Sequence, residues 1–349
     1  MRLIMGVECI IYLSMKVALK RGGGREKNIR GVLELLEEEL RARVKGRILL
    51  KPNLTDHKRS PANTSPETLE VILEFLSDFD EIEVIHIGDG SGGAFFAGKS
   101  TWDVIKEMGY EALKRYPKVE LVNLDELPHP IEIEVRTVRG PATIRVAELN
   151  YDFIASVAIP KTHDFVIYTG ALKNMMGAIH PEDRIKVHGL TMDDLPYLES
   201  RSPVPVWLKK FLRGILPAGL FAKMAWHERV YLASVRKIHS NLFAFLKVLR
   251  PDFAIIDGFW GMEGNGPING APYLHDFAVA SFDPLAADAL AVRLMGFSPE
   301  EVGYLKLLAE AKIGALEGEP LGDALEGLER KYRPHRLYYL QKLWKKLHP

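Results

Sequence analysis

The stretch FIASVAIPKTH, Phe153 to His163, decides the fold. Phe153–Ile159 is a nearly unbroken apolar run too short for a typical helix, and it ends abruptly in Pro160-Lys161-Thr162-His163. Such a run marks a strand buried on both faces, which belongs in the middle of a parallel sheet covered by helices. Val17–Leu19, Arg47–Leu50, Glu83–Ile87 and Val119–Leu124 read as further strands upstream. Helical spacing occupies the gaps, from Lys27 to Arg43, Thr68 to Leu76 and Trp102 to Met108. Ser65-Pro66-Glu67 supplies a helix start: a cap, proline at the first position and acid in the first turn. Ile131–Val138 and Ala142–Val146 alternate like an antiparallel pair. Downstream, Phe253–Ile256 and Phe277–Ser281 read as strands, Pro284–Met295 as a helix with Asp283 as its cap, and Leu337–Leu347 as a basic amphipathic helix. This alternation predicts an α/β protein with mostly parallel sheets and flanking helices.

A chain of 349 residues exceeds what one core usually organises. The expected division is an N-terminal lobe over 15–150, a second lobe over 151–330, a cleft between them, and a basic C-terminal helix over 331–349. Residues 1–14 read either as an upstream extension before Met15 or as an added edge strand. Residues 190–235 break the rhythm with Pro203, Pro205 and Pro217, and with aromatics among lysines and arginines. They read as a helical insertion: a helix pair on the core, or an amphipathic lid touching a membrane surface through 206–226, with Pro217 against the second reading.

The 46 basic and 46 acidic residues cancel, so no global field attracts specific nucleic acid. Cys9 is the single cysteine, which excludes internal disulfides, iron–sulfur clusters and thiolate zinc sites, and suits a reducing cytoplasm. Any metal must use other ligands, and Asp257 with His163 is the pair proposed for a divalent ion. The oligomeric state is not legible.

Ligands in open α/β sheets bind at the carboxyl ends of strands. Lys51-Pro52-Asn53, Gly88-Asp89-Gly90, Lys161-Thr162-His163 and Asp257-Gly258 all fall at such ends. The densest polar segment runs from Lys161 to His188. In it, Thr169-Gly170 can open a helix whose first amides would favour an anion, with Lys173 and Asn174 close by. His163, Lys173 and His188 are the catalytic candidates. Lys51, Asn53, Asp89, Lys161, Thr162, Thr169, Gly170, Asn174, Glu263 and Asn265 are the ligand-binding candidates. Met175, Met176 and His180 read as structural. Gly93 to Ser100 matches a P-loop pattern literally, but Phe95-Phe96 is bulky for a phosphate cradle. No GxSxG or HExxH occurs.

LLKPN (Leu49–Asn53), TSPE (Thr64–Glu67), GDG (Gly88–Gly90), IPKTH (Ile159–His163), TGALKNMMG (Thr169–Gly177), IIDG (Ile255–Gly258), GMEGNGP (Gly261–Pro267) and SFDPLAADA (Ser281–Ala289) follow one another in order. In this order they resemble the family catalogued as domain of unknown function 362. The resemblance spans roughly Met15 to Gly314. The family's activity is not established, and the ferredoxin-like cysteine clusters of many members are missing here. The KTH…GALKN region is also similar to the cofactor-handling region of nickel-pincer lactate racemases. That similarity implies a cofactor-facing place for Lys173, with His163 and His188 nearby. The expected function is an enzyme acting on a small anionic substrate or cofactor in the cleft, possible metal dependence included. The alternative is a non-catalytic ligand-binding or redox-partner protein.

Overall fold

The computed structural model describes residues 16–58, 60–194, 211, 215 and 228–347. The expected extension over 1–14, Cys9 and the 206–226 segment, apart from Phe211 and Ile215, lie outside these residues.

The chain runs through β1 (Lys16–Arg21), α1 (Gly24–Glu34), α2 (Glu37–Arg43), β2 (Gly46–Lys51), α3 (Pro66–Leu76), β3 (Ile82–Asp89), α4 (Gly92–Phe96), α5 (Thr101–Met108) and β4 (Val119–Asn123). The hairpin β5 (Ile131–Thr137) and β6 (Gly140–Val146) follows, then β7 (Phe153–Ala158), β8 (Lys161–His163), β9 (Ile167–Thr169), α6 (Ala171–Asn174) and α7 (Arg184–Val187). The rest is α8 (Glu228–Val248), β10 (Phe253–Glu263), β11 (Ala271–Ser281), α9 (Pro284–Leu294), α10 (Gly303–Glu310), β12 (Glu319–Gly322) and α11 (Tyr338–Gln341).

The main sheet has the order β12-β1-β11-β10-β7-β2-β3-β4, with β8 joined to β10 and β9. From β10 to β4 every neighbour pair is parallel. β11 is antiparallel to both β10 and β1. All six residues of β7 are buried. Phe153, Ala155 and Val157 pack on the face carrying α1, α3 and α5, while Ile154 and Ala158 pack on the other. The period-two alternation of a strand thus feeds two cores, as the apolar run requires. β7 lies between β2 and β10, so the expected boundary near residue 150 crosses a continuous sheet.

Three expected elements differ, and the doubted P-loop match falls on a capped helix. The helix expected over Lys27–Arg43 is two helices, and beyond the break Arg41 and Arg43 lie over the rings of Phe79 and Phe282. The strand expected to stop at Ile256 continues to Glu263, with an irregularity between Gly258 and Trp260. Gly258 sits against the ring of Phe277, where any side chain would collide. Asp257-Gly258 is therefore mid-strand. The P-loop match is not a phosphate cradle: Ser91 caps α4, which already contains Gly93, and Ser100 caps α5 in a reciprocal box with Asp103. The C-terminal helix is a single α-turn continued as a 3-10 segment over Lys342–Leu347, docked through buried Leu340, Gln341 and Trp344.

Among the described residues no helix is long and apolar enough to cross a membrane. Asp283 caps α9 as expected, accepting from the amides of Leu285 and Ala286.

Candidate active site

The carboxyl ends of β2, β3 and β7 meet in a buried polar floor. Lys51, at the end of β2, is fully buried. Its ammonium donates to the Asp89 carboxylate at the end of β3, to the Asn174 carbonyl at 2.6 Å and to Asn174 Oδ1 at 3.2 Å. Burial pushes its pKa down, and Asp89 opposes that shift. Asp89 also accepts the amides of Leu54 and Gly90, each at 2.8 Å. Gly177 lies against this carboxylate, and a Cβ there would occupy its space. Asn174 donates to the Lys51 carbonyl and to Ser156 Oγ, and accepts from Asn53 Nδ2 at 3.0 Å. Lys161 completes the layer, donating to Asn53 Oδ1, Thr55 Oγ1 and the Ala62 carbonyl. Those acceptors are neutral. Burial first, and then repulsion from Lys173, bring its pKa down to about 7.

Above this floor opens a cleft of about 1020 Å³, lined from both halves of the chain. Lys173, on α6, projects into it. No hydrogen bond or ion pair to its ammonium occurs among the described residues. Burial lowers its pKa to about 8, partly offset by Asp164. His163 and His188 line the same cleft, with ring centroids 6.0 Å apart and planes inclined by 15°. Burial and the nearby Lys173 charge hold both rings neutral: His163 titrates well below the usual range, and His188 at about 3. The Phe165 amide donates to His163 Nδ1 at 3.0 Å, so the ring proton sits on Nε2. Asp164 Oδ1 lies 3.1 Å from the same nitrogen, but only the amide has hydrogen-bond alignment. His188 Nδ1 faces the Arg184 carbonyl at 3.2 Å; because a carbonyl only accepts, Nδ1 carries the proton and Nε2 is bare. The pair therefore presents one N–H donor and one bare acceptor nitrogen.

The expected residues separate into four groups. His163, Lys173, His188, Asn53, Asp89, Thr169, Asn174 and Asn265 line the cleft. Lys51 and Lys161 lie beneath it. Thr162 is a buried tie, donating to the Gly264 carbonyl at 2.9 Å. Asp257 and Glu263 are turned elsewhere. Asp257 is held by Arg25 Nε at 2.9 Å, by Thr68 and by the Phe259 amide. Glu263 accepts the Arg333 amide at 2.8 Å. Asp257 and His163 are thus not brought together for a metal. Among the described residues no group of three or more His, Cys, Asp or Glu is placed to hold one.

Gly170 precedes α6, but the anion at that helix start is internal. Asp288 of α9 accepts the amides of Ala171 at 2.8 Å and Leu172 at 2.9 Å, and the Tyr168 hydroxyl at 2.9 Å. Burial still raises its pKa to about 6. The ligand expected at these amides is a side chain of the protein itself.

Among the cleft residues that sequence reading missed are Asp56, Arg184 and His335. Arg184 is buried, paired with Asp125 and donating to the Gly177 carbonyl at 3.0 Å. His335 belongs to the C-terminal segment, which also sends Gln341 Nε2 to the His163 carbonyl at 2.8 Å. Their only signal in the sequence is residue type, in segments without strand-end pattern.

The family model described as "Domain of unknown function (DUF362)" matches residues 48–293. The chain belongs to this family. The parallel strands from β2 to β10, apart from Gly46 and Arg47 at the start of β2, and every cleft residue except His335 fall inside the matched span. Among solved structures, the lactate racemase apoprotein from Thermoanaerobacterium thermosaccharolyticum is similar at 12% identity and a TM-score of 0.36. The match covers 68% of this chain and 50% of that one, so the chain spans about half the length of that structure. No curated protein matches.

Proposed function

We propose that this DUF362 protein is an enzyme that binds a small anionic molecule in the cleft and moves a proton on it. The observation that carries the reading is Lys173. An ammonium partly withdrawn from water and without a partner among the described residues, beside two neutral histidines, is costly unless a ligand supplies the counter-charge. The ligand's acidic group rests on Lys173. His188 Nε2 accepts the proton, its basicity raised once the ligand's negative charge offsets that of Lys173, and His163 Nε2–H is the donor to developing negative charge. The polar floor fixes Asn53 and Asn174 beneath the ligand.

A thermal-shift and calorimetric screen of small carboxylates and phosphates against wild type and Lys173→Met tests the reading. Stabilisation of wild type by at least one anion, lost in the variant, is the expected result. No response to any anion overturns it. His188→Asn separates an enzyme from a binding module: it should retain binding and lose turnover of whichever anion binds.

A further inference from the structure

Besides Lys173, Asp56 is a charged group of the cleft without a hydrogen-bond partner among the described residues, and unlike the exposed Lys58 it is buried. Its residue is 2% exposed, and it lines the cleft. Its Oδ1 is buried without a hydrogen-bond partner among the described residues. His57 Nδ1 is 3.4 Å away but is not aligned to donate. The backbone around the carboxylate is clamped from both sides: the Asp56 amide donates to Asn63 Oδ1 at 2.8 Å, and Asn63 Nδ2 donates to the Asp56 carbonyl at 3.0 Å. Gly93 of α4 packs against the Thr55–His57 backbone with no room for a side chain. The carboxylate is therefore held in place with no donor to Oδ1 among the described residues. Asp56 and Lys173 line the same cleft, and Lys161 is near enough to feel the charges of both. Its own donors, however, are taken by Asn53, Thr55 and Ala62.

We propose that Asp56 receives an ammonium group of the ligand, so that the cleft selects a zwitterion with its acidic end on Lys173 and its amine on Asp56. This rests on the anion-binding reading of Lys173 and names the ligand class. A ligand hydroxyl would satisfy one hydrogen bond and leave the buried charge uncompensated. A divalent cation needs several protein oxygens or nitrogens, and no such group exists among the described residues. An ammonium supplies both the charge and the donors.

The test compares matched probes on the full chain by calorimetry and ligand-detected NMR. Glycine, β-alanine, γ-aminobutyrate, δ-aminovalerate and ε-aminocaproate are set against acetate, propionate, butyrate, valerate and caproate, and phosphoethanolamine against ethyl phosphate. At least one amino compound should bind about tenfold or more tightly than its amine-free partner, the discrimination of a charged hydrogen bond. Asp56→Asn should erase that preference while retaining the plain acid. Without ligand, the same variant should melt about 2 °C higher, because an uncompensated buried charge has gone. Asp56→Glu should shift the preferred probe to a shorter chain.

Equal binding of acids and amino acids overturns this inference and leaves the anion site standing. Binding of neither class overturns both. A lower melting temperature for Asp56→Asn with unchanged preference assigns Asp56 a structural role and overturns the inference. Stabilisation of wild type, but not of Asp56→Asn, by magnesium or manganese chloride alone does the same, in favour of a metal.

Discussion

Lys161 and Lys173 are lysines of one short segment, the first buried and the second half-buried, and the fold treats them oppositely. Lys161 has three acceptors for its three donors. Lys173 has none among the described residues and faces the cleft. Lys51 sides with Lys161, held by Asp89 and Asn174. The contrast shows that burial and pairing are separate choices. A paired buried cation builds the floor of a site, whereas an unpaired one leaves a place for a ligand.

Breaking the floor should have the largest effect. Lys51→Met strips Asp89 of its counter-ion and should cost about 3–5 kcal/mol in chemical denaturation. Near-wild-type stability would erase the distinction between floor and face. Lys161→Met leaves Asn53, Thr55 and Ala62 without their shared donor and should cost about 1–3 kcal/mol. It should also weaken anion binding, because the loop carrying Asn53 and Asp56 loses its anchor.

The face should respond to pH instead. The folded Lys173 titrates at about 8, and an unfolded lysine at about 10.4. Between those values only the unfolded chain holds the proton, so stability from this group rises with pH across that window. Lys161 adds a rise of the same sign that starts near pH 7. Anion affinity should move the other way, falling by up to about tenfold per unit above pH 8 as the free ammonium deprotonates, or about 1.4 kcal/mol per unit. Calorimetry in buffers of different ionisation enthalpy should show proton uptake on binding near pH 8. The smallest effect belongs to Lys173→Met without ligand. It should change stability by less than about 1 kcal/mol, in the favourable direction, and flatten the part of the pH slope due to Lys173. A loss comparable to that of Lys51→Met would make Lys173 another structural lysine.

The sheet was legible because its strands carry their burial in their composition. The six residues Phe153–Ala158 need no neighbour to announce a central strand. Cleft residues at strand ends were legible for the same reason, as with Asn53, Asp89 and His163. What escaped depends on contacts distant in sequence. Nothing local tells that Asp288 occupies the start of α6 across a separation of 117 residues. Asp257 sits on β10 among residues resembling a site, yet its direction is set by strand continuation past Gly258 and by capture on Arg25. Asp56 looks like one more loop carboxylate until its missing partner is noticed. His335 reaches the cleft only because Gln341 and Trp344 dock the C-terminal segment.

The order of strands also sets a timetable. β1 is the first strand described here, yet it pairs Val17 with Ser281 and Lys16 with Glu319. Until those late segments are synthesised, β1 has neither neighbour, and both its edges stay open. Contacts of such sequence separation form slowly, and unpaired edges invite association between chains. During synthesis β1 therefore stays unpaired until β11 is complete at Ser281, and prolonged pausing before that residue should favour association through its open edges.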